Sequence, residues 1–267
     1  MKGVYLVIPV AVVVGGAVVS VPRVARARAA IAVKSSGSKT PVLVELFTSE
    51  GCSSCPPADK LLSKLAETGS LENALVIPLS EHVDYWNSGG WKDRFSSSVF
   101  SNRQEDYARI LHADVYTPQM VVDGEAQFVG SDPDMAATSI AAAGLKQKIK
   151  VNVSATLVGT RTVSVSIAIG ALPGSEPSGS EAVYLAVTEN HLNTQVQGGE
   201  NEGHKLEHTA VVRTLQKLGT LGRQLEFTSS VRLDPSWKTQ DLSAVAFIQN
   251  QKTGQVRGVG AAGVGGA

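Results

Sequence analysis

Cys52 and Cys55 are the only two cysteines of the 267-residue chain, and they stand as Cys52-Ser53-Ser54-Cys55 between an apolar run and a stretch of helical periodicity. Two thiols at this spacing can exchange with another disulfide, supply half of a metal site, or close a permanent local bridge. A bridge over so short a loop restrains the unfolded chain little, because the entropic benefit grows with loop length, so a staple is poorly motivated. Zinc needs four ligands in a closed site and would have to recruit imidazoles from His82, His112, His191, His204 and His208. His204 and His208 share a metal only if helical, since an extended segment would hold them ~13 Å apart at ~3.3 Å per residue. Cu(I) is the softer alternative, with the two thiolates and His82 as ligands. For exchange, position decides. A helix N-terminus offers unpaired N–H groups and a partial positive charge, which favour a thiolate on the first cysteine, and one turn brings the second back beneath it. On this reading Cys52 is the exposed nucleophile and Cys55 the resolving thiol.

The flanking elements would create that position. Pro41 to Phe47 (PVLVELF) reads as a strand buried on both faces apart from Glu45. From Pro56 the period changes: Ala58, Leu61, Leu62 and Leu65 recur at helical spacing, prolines occupy the first turn, and Gly69 stops the run. Ala74 to Leu79 is a second buried strand, and Phe95 to Leu111 is helical in pattern. Asp123-Gly124 joins Gln119 to Val122 with Ala126 to Gly130 as a hairpin, and Met135 to Lys148 closes the segment as a helix. Strands separated by helices imply parallel pairing through crossovers.

After about residue 149 the grammar alters. Lys150 to Val158, Thr162 to Ile169, Ala182 to Asn190, Glu207 to Leu215, Gln224 to Leu233, Ser243 to Gln249 and Val256 to Gly260 are short strand candidates. The pattern therefore predicts an α/β domain over residues 41–148, followed by a smaller all-β sandwich over 149–260. Leu172 to Gly179 is a loop by composition, and residues 261–267 are expected to be a flexible tail. Residues 31–40 read as a linker. Residues 1–30 carry Lys2, an uncharged run from Val4 to Val21 and small residues around Arg26 and Arg28. They read as an export signal or an uncleaved membrane anchor. Export would place the chain in a periplasmic or extracellular compartment where disulfides persist. With 24 basic side chains against 24 acidic ones, no global field recruits nucleic acid or an anionic membrane.

Two further groups of residues belong with the dithiol. Thr117-Pro118 precedes the hairpin, and a cis proline there would turn the Thr117 backbone outward as a platform for a substrate chain. His82 to Trp91 (HVDYWNSGGW) follows a buried strand, so its loop falls at the carboxyl end of the sheet. Trp86 and Trp91 are candidate anchors of a substrate rim, and Asp84 or His82 would adjust the thiol pKa.

These residues carry a resemblance. Cys52-Ser53-Ser54-Cys55 after a strand, with Thr117-Pro118 before a hairpin, resembles the thioredoxin fold. More narrowly, FTSEGCSSCPPAD, HVDYWNSGGWKDRFSS and VYTPQMVVDG resemble DUF1223, a bacterial family of exported thioredoxin-like proteins. The resemblance implies that fold and a thiol-based activity. Gly51 stands where thioredoxins carry a tryptophan, and Ser-Ser separates the cysteines. Glu45 resembles in position the buried acid of thioredoxins, and a carboxyl on an apolar strand would relay a proton from Cys55. The expected function is an exported thiol-disulfide oxidoreductase acting on protein or small thiol substrates, with a redox recycling partner and no organic cofactor. The alternative is a copper-binding or non-catalytic binding protein on the same scaffold.

Overall fold

Val42, Val44 and Leu46 on one face of the Pro41 to Phe47 run, and Leu43 and Phe47 on the other, are all buried, so this run is a central strand. The computed structural model, which describes residues 39–171, 179–222 and 224–266, places it at Thr40–Thr48 (β1). There follow α1 (Pro56–Thr68), β2 (Ser70–Leu71), β3 (Ala74–His82), α2 (Ser98–Leu111), β4 (Gln119–Val122), β5 (Ala126–Val129) and α3 (Pro133–Gly144). The second half contributes β6 (Val151–Val158), β7 (Thr162–Ile169), β8 (Glu181–Glu189), β9 (Leu192–Gln195), β10 (Lys205–His208) and β11 (Val211–Thr220). It ends with β12 (Glu226–Arg232), β13 (Leu242–Asn250), β14 (Val256–Gly263) and β15 (Gly265–Gly266).

Local chemistry sets the boundaries. Pro56 and Pro57 open α1, where a first turn has no internal use for their missing N–H groups, and Gly69 closes it in the left-handed region at φ 67°. Ser97 Oγ caps α2 by accepting from Val99 N at 3.2 Å, and Asp132 caps α3. Asp123 and Gly124 take positive φ values of 51° and 67° in the hairpin turn.

The expected fold class is overturned by the sheet. One nine-stranded sheet runs β14-β13-β8-β11-β3-β1-β4-β5, with β2 on β3, and so contains strands from both halves of the chain. The fold is mostly β, with three α-helices among the described residues, and is not an α/β thioredoxin-like domain with a separate small sandwich. The cause is the outer edge of β3. An unpaired edge must be covered or paired, and here β11 runs parallel to it, with Val211 opposite Ser80 and Ser80 N donating to Ala210 O at 2.8 Å. The Glu207 to Leu215 run, expected as one strand, is split to allow this: Ala210, at φ 54°, turns the chain between β10 and β11.

Both faces of the large sheet are covered. α1 and α3 pack on one face through Ala58, Leu62, Ala136 and Ile140. On that same face, further along, the four-stranded sheet β12-β7-β6-β15 packs Val163, Val165 and Ile167 against Leu185 and Ala246. Phe100 of α2 joins Leu43, Leu79 and Phe247 on the opposite face. The sandwich strands thus exist, but one of their two layers is the extended sheet itself. The tail is also paired rather than free: β14 runs to Gly263, and Gly265 and Gly266 pair with Thr156 and Leu157 of β6. Ser38–Ala267 clusters as one compact unit. The N-terminal signal or anchor, most of the linker, and residues 172–178 of the insert lie outside the described residues. No helix among the described residues is long and apolar enough to cross a membrane.

Candidate functional site

The dithiol lies where the sequence positions it, between the end of β1 and the head of α1. Cys52 and Cys55 form a disulfide, with their Cα atoms 5.4 Å apart. Cys55 is the N-cap of α1, its carbonyl accepting from Ala58 N at 2.9 Å and Asp59 N at 3.1 Å. Ser54 Oγ lies 3.4 Å from Cys52 Sγ and donates to Thr117 O at 3.5 Å, the outer limit of a hydrogen bond. The Thr117-Pro118 bond is cis, and Pro118 is buried, with its carbonyl taken by Gly130 N at 2.9 Å. The structure therefore brings Cys52, Cys55, Thr117 and Pro118 together.

Cys52 is not open to solvent, which corrects the expectation of an exposed nucleophile. Both cysteines are 0% exposed. Part of the cover is a strap, residues 196–204, that joins β9 to β10 and crosses the loop carrying Cys52. Asn201, itself buried, donates from Nδ2 to Glu50 O and to Cys52 O, both at 2.9 Å. The strap also abuts the aromatic loop, glycine against glycine. A Cβ on Gly198 would lie 2.7 Å from Gly90 O, and one on Gly199, at φ 74°, would lie 3.0 Å from Trp91 Cβ. Only glycines allow this approach. If the strap is the seal, replacing Asn201 by alanine, which deletes two hydrogen bonds, is expected to speed reduction of the disulfide by dithiothreitol about tenfold. An unchanged reduction rate would mean that the cover lies elsewhere.

The aromatic residues border the same loop. Trp86 donates from Nε1 to Thr117 Oγ1 at 2.8 Å, and its Cβ would lie 3.3 Å from a Cβ on Gly51. Trp91 donates from Nε1 to Glu50 Oε2 at 2.8 Å. Both rings are half-buried. Asp84 accepts from Ser101 Oγ at 2.6 Å, at the start of the short 3-10 turn Tyr85–Ser88.

His82 points inward instead of towards a rim. Its Nδ1 meets Asp93 Oδ2 at 2.6 Å, and its ring packs edge-on against His208 at 5.0 Å between centroids. Burial lowers the His82 pKa, but the Asp93 carboxylate, Asp59 and Glu50 together outweigh it, so the net shift is upward. Asp93 moves the other way: burial raises it, and the His82 charge with three hydrogen bonds brings it below the usual range. His208 Nε2 lies 3.3 Å from Glu50 Oε1, and both residues are buried. Asp59 borders this cluster, one helical turn beyond Cys55, and accepts from Thr48 Oγ1 at 2.9 Å. Burial holds the Asp59 carboxyl above its ordinary value, although His208, His82 and Thr48 oppose it. Among the described residues no group of three or more His, Cys, Asp and Glu is arranged to hold a metal ion.

Glu45 is placed elsewhere. Its neighbours Val44 and Leu46 face α1, so its own side chain faces α2 on the other side of the sheet. There Oε1 meets the Arg103 guanidinium at 2.6 Å and Oε2 accepts from Tyr107 Oη at 2.5 Å. The structure does not bring Glu45 to the dithiol.

The family described as "Protein of unknown function (DUF1223)" matches residues 43–249, well over half of the chain. The chain belongs to the DUF1223 family. This DUF1223 chain is similar to the solved protein AGR_C_4864 from Agrobacterium tumefaciens, at 28% identity and a TM-score of 0.58, covering 85% of this chain and 94% of that one. It is also similar in fold to HBP35 of Porphyromonas gingivalis, at 16% identity and a TM-score of 0.61, over 85% of this chain and 76% of that one. No curated protein matches it.

Several residues of this site escape a reading from sequence: Glu50, Asp59, Asp93, Glu200 and Asn201; His208, weighed there only as a metal ligand, instead packs against His82. One signal was present. The glycine pairs Gly89-Gly90 and Gly198-Gly199, each beside polar residues, are the two surfaces that meet where the strap closes.

Proposed function

We propose that this DUF1223 chain is an exported thiol-disulfide oxidoreductase whose reactive group is the Cys52–Cys55 pair. The observation that carries the reading is the disulfide itself, formed at the head of α1 with the Thr117 carbonyl on its outer side, joined through Ser54. Export is supported by the charged start, uncharged run and small-residue boundary of residues 1–30. In the reduced state Cys52 is the attacking sulfur, since it precedes the helix and has the Ser54 hydroxyl beside it to donate to a thiolate. Cys55 resolves the mixed disulfide. Val196 at the start of the strap is buried and stays packed, whereas its middle is tied to the dithiol loop by the polar contacts of Glu200 and Asn201, so lifting from the disulfide is confined to that middle.

The purified protein, reduced and freed of reductant, is expected to release thiol from a small model disulfide as Cys52–Cys55 re-forms. If the dithiol stays reduced in excess disulfide while the protein remains folded, the redox reading is lost and a non-catalytic binding role takes its place.

Asp59, not Glu45, is the carboxyl placed to accept the Cys55 proton. Residues four apart on a helix share a face, and helical side chains lean towards the N-terminus, so Asp59 leans towards Cys55. Asp59→Asn is expected to slow resolution by Cys55 about tenfold or more and to spare formation of the mixed disulfide. The sign of the pH effect follows from the raised pKa: the carboxylate is lost as pH falls through a value above that of an ordinary aspartate, and resolution slows with it. Burial sets that value upward together with Asp93, while His208, His82 and the Thr48 hydroxyl on the facing elements oppose them. Single-turnover rates against pH check this. A profile that Asp59→Asn leaves unmoved would remove the role.

A further inference from the structure

Ser53, on the solvent side of the C-x-x-C turn, already holds a carboxylate. Its backbone N–H donates to Glu200 Oε2 at 3.0 Å, and its hydroxyl donates to the same oxygen at 2.6 Å. These two bonds hold the Glu200 carboxyl below its ordinary range. Two donors converging on one oxygen beside a helix N-terminus form a seat for an anion. The present occupant belongs to the strap, and its contacts are exposed, so water and other anions compete with it readily.

A groove of about 870 Å³ opens from this seat between α1 and the strap hairpin. That volume is of the size that receives small molecules. Lys60 and Lys64 stand one turn apart on its α1 wall, and neither ammonium pairs with a carboxylate among the described residues. Of the groove's other acids, Asp59 accepts from Thr48 Oγ1 at 2.9 Å, Glu207 meets Lys205 at 3.5 Å, and Glu67 stands near the far end of α1, one turn past Lys64. The end nearest the disulfide therefore combines a carboxylate seat with the Lys60 ammonium, and Lys64 follows one turn further along the groove.

We propose that this groove admits the substrate, and that the substrate class is a small thiol or disulfide bearing a carboxylate, which displaces Glu200 from Ser53. The inference rests on the exchange reading above and adds to it. Displacement releases the middle of the strap at Glu200, next to the Asn201 bonds that hold it on the loop, so arrival of the correct substrate loosens the cover of the disulfide. In the reducing direction the Cys52 sulfur bonds to one substrate sulfur and expels the other as a thiolate. Cys55 then bonds to Cys52 and expels the second. Two electrons pass from the dithiol to the substrate, and the two thiol protons end on the two released thiols.

The test compares three small disulfides with the reduced protein: dithiodipropionate, which is dianionic, hydroxyethyl disulfide, which is neutral, and cystamine, which is dicationic. Each rate is divided by the rate of the same disulfide with free dithiothreitol. Dithiodipropionate is expected to exceed hydroxyethyl disulfide by roughly threefold to tenfold at low salt, with cystamine slowest. The double variant Lys60→Ala/Lys64→Ala brings the ratio towards one, as does raised salt. Equal normalised rates for all three, with exchange intact, overturn this inference and leave the redox reading standing. A second measurement needs no turnover. Titrating dithiodipropionate into the oxidised protein is expected to move the Ser53 and Glu200 amide resonances saturably, and an absence of movement overturns the seat. If none of the disulfides reacts, the exchange reading falls and this titration alone decides the seat.

Discussion

Replacing Cys55 by serine is expected to arrest the protein as a mixed disulfide on Cys52, whereas replacing Cys52 by serine is expected to abolish exchange altogether. The two variants differ because the two sulfurs differ in place. Cys52 lies in the loop before the helix, beside the Ser54 hydroxyl, and is linked through that serine to the Thr117 carbonyl. Cys55 is the N-cap residue itself, with Asp59 one turn further into the cluster beneath. An incoming disulfide therefore meets Cys52 first, and the bond it forms can be broken only by Cys55. Without Cys55, the intermediate waits for an external thiol. Mass spectrometry of each reduced variant after mixing with excess disulfide reads the outcome: one substrate thiol retained on Cys55→Ser and none on Cys52→Ser. Turnover in Cys52→Ser should fall by several orders of magnitude, since the one thiol left, Cys55, is buried at the N-cap and has no second sulfur to complete the exchange. The reverse pattern, with the adduct on Cys55, would exchange the two roles and undo the assignment of Asp59.

What was legible in the sequence was what neighbours decide. The Pro41 to Phe47 strand, the proline-opened helix after Cys55 and the Asp123-Gly124 turn all follow from apolar period and turn chemistry within a few residues. They sufficed to place the dithiol at a strand-to-helix junction and Thr117-Pro118 before the hairpin. Contacts between distant residues were not legible. Glu45 on an apolar strand is the same string of letters whether its carboxyl meets a thiol or an arginine, and its partner Arg103 is 58 residues away. The strap failed for a different reason: QGGENEGH has no apolar period, so nothing in it marks a segment that closes over a disulfide. The sheet failed for a third. Seven short strands after a βα segment suggest a second domain, but the open edge of β3 offered hydrogen bonds that β11 takes. A single left-handed residue, Ala210, decides that pairing, and alanine carries no sequence signal for it.

The same long-range contact yields the largest stability effect expected of a single substitution. Arg103 of α2 is buried and reaches both halves of the sheet: its guanidinium meets Glu45 at 2.6 Å, Glu81 at 3.5 Å and Gln249 of β13 at 3.0 Å. It also lies over the Tyr107, Tyr184 and Phe247 rings, at 5.0, 5.6 and 5.1 Å from their centroids. Methionine at position 103 would fill much of this space but would leave two buried carboxyls without their cation. Removing one partner of a buried pair destabilises by about 3–5 kcal/mol, most of it the uncompensated charge left behind. Burial and Glu45 already hold the Glu81 carboxyl well above its ordinary range, with Arg103 opposing them. Losing Arg103 removes that opposition and raises the Glu81 carboxyl further. The folded state then binds protons that the unfolded state does not, so the stability deficit of Arg103→Met should be largest at neutral pH and shrink as pH falls towards the carboxyl range. Adding Glu45→Gln should restore part of the loss at neutral pH, because one buried charge disappears. Urea unfolding of the three proteins at neutral and mildly acidic pH measures all of this. A deficit below about 1 kcal/mol, or one that grows on acidification, would show that the cation is not what balances Glu45 and Glu81 across the two halves of the sheet.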